Sequence, residues 1–233
     1  MNDSSEVSLD EEQKALLLDL LDIFRSTIAT CEYLDTASRC IRNWINEKNE
    51  KNPKNQITDE LLFSNLLIGV SENPTLFGSL LAFFYDRGIG TTRDRTKAIE
   101  FYSKNANTGD PLAQNELGYI YENKDFTLAR NWYNEAVKSR WPDSFDNLGR
   151  VYYDGIHVDQ DFRASAYYFR LGAELGHVNS QLYMVSIFQY GYGVMKDLHS
   201  SIYWIHKIFK NSKNSKELKV KPSLREIFNN NYF

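Results

Sequence analysis

A chain of 233 residues, 42% hydrophobic and 25% charged with five prolines, has the composition of an ordinary folded protein and excludes a disordered or fibrous one. No stretch approaches the roughly 18 apolar residues of a membrane span, and the acidic start, Met1 to Asp10, lacks the positive charge of a secretory signal. The formal charge of −4 is segregated: residues 1–72 carry 7 basic and 14 acidic groups, 73–206 carry 13 and 15, and 207–233 carry 7 and 2, which implies no broad basic face for nucleic acid.

Residues 1–7 are expected to be disordered. Ser8 followed by Glu11 reads as a capping box, which starts a helix near Leu9. Leu16, Leu17, Leu20, Ile23, Phe24, Ile28, Cys31 and Leu34 then recur at three- and four-residue steps and give one apolar stripe. Two further helices are expected near Thr36 to Lys48 and Thr58 to Val70, separated by a polar loop from Asn46 to Gln56 that contains Pro53. Residues 8–72 thus form an N-terminal helical region. Its two cysteines, Cys31 and Cys40, have no second pair to complete a four-ligand metal site; they are expected to be reduced, and the chain cytoplasmic.

From Asn73 one spelling recurs: Asp94-(x)3-Ala98-(x)2-Phe101-Tyr102, Asp125-(x)3-Ala129-(x)2-Trp132-Tyr133 and Asp161-(x)3-Ser165-(x)2-Tyr168-Phe169, with a decayed copy at Asp197-(x)3-Ser201-(x)2-Trp204-Ile205. The steps of 31, 36 and 36 residues are those of stacked helix pairs, not of one globular core. Four units are expected at 73–110, 111–141, 142–177 and 178–210. Leu117-Gly118-(x)2-Tyr121 and Leu148-Gly149-(x)2-Tyr152 mark first helices, with Leu81-Ala82 and Met184-Val185 in matching slots. A mid-helix glycine costs about 1 kcal/mol relative to alanine, so a neighbouring helix should press close against it. The turns Gly88-Ile89-Gly90, Gly155-Ile156-His157 and Gly191-Tyr192-Gly193 supply left-handed backbone, and Asp94, Asp161 and Asp197 then cap the second helices. Unit two is five residues shorter between Tyr121 and Asp125, so its turn is tighter. Residues 211–233 form a basic tail; a capping box at Ser223 and Glu226 suggests a short closing helix in which Leu224, Ile227 and Phe228 cover the last apolar face.

These residues, with the string Asp94 to Asp110 and the ending Ala173-Glu174-Leu175-Gly176-His177, resemble Sel-one-like repeats, relatives of the tetratricopeptide repeat, over about 60% of the chain. The resemblance implies an all-α, right-handed superhelical solenoid of antiparallel helix pairs, here with an N-terminal helical cap, that serves as an adaptor holding other proteins together. Members act in degradation complexes, in cell-wall synthase regulation and beside signalling kinases in fungi and related eukaryotes. A secreted bacterial branch ties each repeat with a disulfide and is linked to penicillin binding; the repeats of this chain contain no cysteine, which removes support for that enzyme-like reading.

Catalytic signals are weak. The Gly-x-Gly turns lack the further glycine and preceding strand of a dinucleotide loop. His199 and His206 are seven apart without a third ligand at a zinc spacing. Neither an enzyme, a cofactor nor a metal is expected. Lysines 207, 210, 213, 216 and 219 recur every third residue, which reads first as a solvated tail and alternatively as a recruiter of anionic lipid or nucleic acid. What remains is a binding surface for a protein or peptide partner. The residue two before the tyrosine slot of each first helix forms a row, Phe83, Tyr119, Arg150 and Ser186, along the expected inner curve, with Asn115 and Asp146 one turn earlier placed to bind a partner's backbone; Phe83 and Tyr119 read equally well as side chains buried between units. An alternative role, in a kinase-type signalling system, would act through the N-terminal helices.

Overall fold

The structure, a computed structural model, describes residues 8–30 and 34–211, which contain eleven α-helices and no strand. They are α1 (Glu11–Thr30), α2 (Leu34–Lys51), α3 (Asp59–Glu72), α4 (Pro74–Arg87), α5 (Arg95–Asn107), α6 (Pro111–Tyr121), α7 (Phe126–Lys138), α8 (Pro142–Asp154), α9 (Phe162–Glu174), α10 (Val178–Tyr190) and α11 (Leu198–Asn211). Helices α4/α5, α6/α7, α8/α9 and α10/α11 pack as antiparallel pairs, and each second helix packs on the next first helix, giving a right-handed solenoid. Cys31 and residues 1–7 and 212–233, with Ser223, Leu224, Glu226, Ile227 and Phe228, lie outside the described residues.

The first helix is capped two residues later than the Ser8 and Glu11 spelling suggests. Gln13 N–H donates to Asp10 Oδ1 at 2.7 Å and Asp10 N–H donates to Gln13 Oε1 at 3.0 Å, a reciprocal capping box. Leu9 is buried, and its N–H donates to Glu72 Oε1 at 3.0 Å, so the start of α1 is tied to the end of α3 and Ser8 is left outside the helix. Helix α2 runs to Lys51 and shortens the expected loop. The Asn49 side chain holds what remains: its amide donates to Ile57 O at 2.9 Å and its oxygen accepts from Ile57 N–H at 2.7 Å.

Aspartates cap the second helices: Asp94, Asp125, Asp161 and Asp197 each accept a backbone N–H of the following turn at 3.0 Å. The same slot explains α3. Thr58 caps it by accepting from Leu61 N–H, and Thr58-(x)3-Leu62-(x)2-Asn65-Leu66 repeats the second-helix spelling 36 residues before Asp94. Leu62 and Leu66 are fully buried, as Ala98 and Tyr102 are in α5. Helix α1 takes the place of a first helix, touching both α3 and α4, with α2 inserted between. The N-terminal region therefore prolongs the array in space although its spelling has decayed.

The turns dock on the preceding pair. A Cβ on Gly193 would collide with the carbonyl of Phe162, the first residue of α9, and one on Gly90 with the carbonyl of Asp59, the first residue of α3. His157 occupies the matching turn position at φ 60°, and its ring stacks on Phe126, the first residue of α7, with centroids 5.2 Å apart. Between units, Gly109, Arg140 and Gly176 share another left-handed slot, at φ 93°, 56° and 97°. A side chain in that conformation costs roughly 1 kcal/mol or more, and Cβ atoms at Gly109 and Gly176 would meet open space. Arg140→Gly is accordingly expected to raise stability by up to about 1 kcal/mol, the strain relieved exceeding the added freedom of the unfolded chain. A lowered melting temperature would contradict this.

Candidate binding groove

Curvature decides which side chains face a partner. Helix α6 touches α8 and α8 touches α10, whereas α5, α7 and α9 make no comparable contact with one another, so the first helices crowd together along the inner wall. On that wall the slot of the expected row is held by Phe83, Tyr119, Arg150 and Ser186. Phe83 is a correction: it is fully buried, its ring 4.8 Å from that of Phe24, because α1 closes that end of the wall. Tyr119 is 54% exposed on a helix otherwise almost wholly buried. Arg150 is half-buried, with Nη2 3.8 Å from Glu122 Oε1, and Ser186 is half-buried on α10.

Asn115 and Asp146 are also corrected, since both are buried and engaged between units. Asn115 Oδ1 accepts from Ser144 Oγ at 3.1 Å and Asn147 Nδ2 at 3.0 Å, both on the next first helix. Asp146 Oδ1 accepts from Ser180 Oγ at 2.9 Å, again one unit on. Ser79, in the matching slot of α4, donates to Asp110 at the head of α6. One polar residue per unit, two before the leucine of the Leu-Gly or Leu-Ala pair, thus fastens each first helix to the next. The signal was available in the sequence as Ser79, Asn115 and Asp146 in one slot, matched by Ser144 and Ser180 in another.

The strongest of these fasteners is charged. His177, at the head of α10, sets Nε2 3.0 Å from Asp143 Oδ1 and Nδ1 3.0 Å from the Ser180 hydroxyl, with Asp146 Oδ1 3.4 Å from Nδ1. Burial opposes charging the ring, but hydrogen bonds to Asp143 and Asp146 and their charges prevail and push it up to about 10. The ring is therefore held charged at neutral pH, with Nε2 facing Asp143 and Nδ1 facing the Ser180 hydroxyl and, at 3.3 Å, the Ser180 backbone N–H at the start of α10. Its serine, histidine and aspartate superficially match a nucleophilic triad, yet the chemistry is wrong. The charged ring cannot act as a base, Ser180 already donates its proton to Asp146, and Ser180 is fully buried.

Glu122 anchors a second cluster, accepting from the Tyr133 hydroxyl at 2.8 Å beside Arg150. Burial would lower Arg150, but Glu122 and then Asp146 hold its guanidinium charged. Glu116 is 6% exposed and pushed up to about 8 by burial, with the Asp143 charge adding to it. Among the described residues no three His, Cys, Asp or Glu side chains gather as metal ligands, and no helix is long and apolar enough to cross a membrane. His199 and His206 are exposed on α11, Cys40 is half-buried on α2, and Lys207 lies 4.7 Å over the Trp204 ring.

The chain matches the Sel1 repeat model four times, over residues 79–110, 111–139, 146–177 and 182–211. It is 31% identical over 90 residues to the ERAD-associated E3 ubiquitin-protein ligase component HRD3B of Arabidopsis thaliana, a match covering 36% of this chain and only 14% of that protein's length. Among solved structures, a Sel1 repeat protein from Oxalobacter formigenes is similar with a TM-score of 0.62 at 22% identity, covering 74% of this chain and 70% of that one. The protective antigen c5321 of uropathogenic Escherichia coli, which displays an SLR fold, gives 0.60 at 20% identity over 85% of this chain and 46% of that one. Proteins built on these repeats are generally protein-interaction scaffolds. With four repeats matched over more than half its length, the chain belongs to the Sel1 repeat family.

Proposed function

We propose that this protein is a non-catalytic adaptor that binds a peptide or helix of a partner protein along its inner wall, with Tyr119, Arg150 and Ser186 as contact residues. The observation that carries this reading is Tyr119: an aromatic side chain 54% exposed in the row slot of α6, on a helix whose other residues are nearly all buried. Aromatic and arginine side chains anchor interfaces because they bury much area for little lost rotamer freedom. Arg150 is a poorer test residue than Tyr119, since its removal would strip Glu122 of its counter-charge. Tyr119→Ala is expected to weaken capture of a partner by about tenfold or more, with unchanged helicity and melting temperature. The check is quantitative pull-down with the wild-type and variant chains followed by titration of the partner so identified. Equal affinity for both chains would discard this wall as the binding surface.

A further inference from the structure

Helix α11 is packed differently from the other second helices. Among the described residues, α3, α5, α7 and α9 each pack on the first helix of the following unit, whereas α11 packs extensively on α10 alone. Two slots of a second helix meet that following helix. Eleven residues past the cap, a Cβ on Gly69 would lie 3.3 Å from the Phe77 ring, and one on Gly172 would lie 2.6 Å from the Ser180 hydroxyl. Five residues past the cap, the Phe63 ring is 5.2 Å from that of Tyr85. In α11 these slots hold Ile208 and Ile202. Ile208 is buried in one cluster with Met184 and Val185 of α10, but Ile202 is only half-buried. At the head of the helix Leu198 is 51% exposed, where Phe126 and Phe162 are stacked by His157 and Tyr192 of the next turn. The last seam of the array thus keeps an apolar edge, which in a stack of repeats has to be covered.

Residues 212–233 carry a spelling that fits this edge. Pro111-(x)5-Leu117-(x)3-Tyr121 and Pro142-(x)5-Leu148-(x)3-Tyr152 are first helices, and Pro222-(x)5-Phe228-(x)3-Tyr232 repeats them. In that register Leu224 takes the slot of Phe77 and Ser180, which faces Ile208, and Tyr232 takes the slot of Tyr85, which faces Ile202. Asn229 in the slot of Gly118 and Gly149 is no obstacle, because those glycines admit a ring from their own second helix and not from the preceding one. The step from capping aspartate to proline is 17 residues after Asp94 and Asp125 and 25 after Asp197. Lengthening a connection by so little adds only a few tenths of a kcal/mol of closure entropy, roughly. Lys213, Lys216, Lys219 and Lys221 all fall in that connection, while residues 222–233 carry only Arg225 and Glu226 and are neutral, as suits docking on an apolar edge.

We propose that residues 222–233 dock on α11 as the first helix of a fifth unit, with Leu224 against Ile208 and Tyr232 against Ile202, so that the chain covers this edge of its own array. The docking stands apart from the adaptor reading: it occupies a surface on which another helix would otherwise add, and it places Asn230 in the row of Tyr119, Arg150 and Ser186. The lysines then serve as the solvated connection to that helix.

Hydrogen exchange of the full chain, read by mass spectrometry at a concentration where light scattering gives a monomer, tests the docking. Backbone amides of 225–232 are expected to exchange at least about tenfold more slowly than those of an unstructured peptide of the same sequence. Ile202→Asp on α11 and Tyr232→Asp on the docked segment should each abolish that slowing and speed exchange in 198–211, while α4 to α9 stay as slow as in the wild type. Tyr232→Asp, which lies outside the packed repeats, decides the matter where Ile202→Asp also disturbs α4 to α9. Exchange of 225–232 at the unstructured rate, or slowing that survives Tyr232→Asp, would overturn the docking. Slowing that appears only in a dimer would overturn it as well and assign the edge to a second copy of the chain.

Discussion

Replacing His177 by alanine is expected to destabilise the chain by about 3 to 5 kcal/mol, the range for removing one partner of a buried charged cluster. The ring is the only cation close to both Asp143 and Asp146 among the described residues, and its loss leaves the Ser180 hydroxyl as the sole described donor to Asp146. The effect should depend on pH with a definite sign. The folded ring is raised to about 10, above an ordinary histidine near 6.5, so the stabilisation it brings is complete below about 6.5 and is lost as pH rises through about 10. Urea unfolding of the wild type and His177→Ala at pH 6, 8 and 10 should show a gap that is widest at pH 6 and narrowest at pH 10. A gap that stayed constant would mean that the ring is not held as a cation.

The second large effect is expected at the notch where Gly118 meets Tyr133. A Cβ on Gly118 would lie 2.5 Å from the Tyr133 ring, and one on Gly149 2.6 Å from the Phe169 ring. Tyr133→Ala should cost about 3 to 5 kcal/mol, since it empties a fully buried aromatic site and takes the hydroxyl from Glu122. Gly118→Ala gains about 1 kcal/mol of helix propensity, yet should still destabilise by about 1 to 3 kcal/mol, because the ring has nowhere to retreat. Combined with Tyr133→Leu, Gly118→Ala should cost less than the two changes summed, as neighbours sharing one space are not additive. Strict additivity in urea midpoints would show that the glycine is not there to admit the ring.

That notch shows what was legible. Gly118 and Gly149 in mid-helix implied a close neighbour, and the neighbour is the second aromatic of each pair, Tyr133 or Phe169, whose place in the repeated spelling was already apparent. Unit four makes the same fit with the sizes exchanged, Val185 standing in the glycine slot and Ile205 in the aromatic one. The aspartate caps were legible too, because a capping aspartate acts within one turn of its own helix.

What escaped the sequence depends on neighbours far along the chain. Phe83 shares its slot with Tyr119, and nothing local distinguishes them; Phe83 is buried only because Phe24, fifty-nine residues earlier, folds over it. Asn115 and Asp146 look like outward polar groups until Ser144 and Ser180 arrive from the following unit. Helix α3 was expected as a helix but not as a member of the array, since Asn65 and Leu66 replace the aromatic pair on which the pattern was keyed. The cap of α1 moved for a similar reason: the bond from Leu9 to Glu72 spans sixty-three residues.

Every extensive helix contact joins elements no more than three places apart in the chain. Loop closure is therefore cheap at each step, and ordering can start at any hairpin and spread outward. The same arrangement makes length an adjustable property: excising or duplicating a stretch between equivalent residues of adjacent repeats would recreate the junction it removed, so lineages can lengthen or trim such a molecule without redesigning its interior.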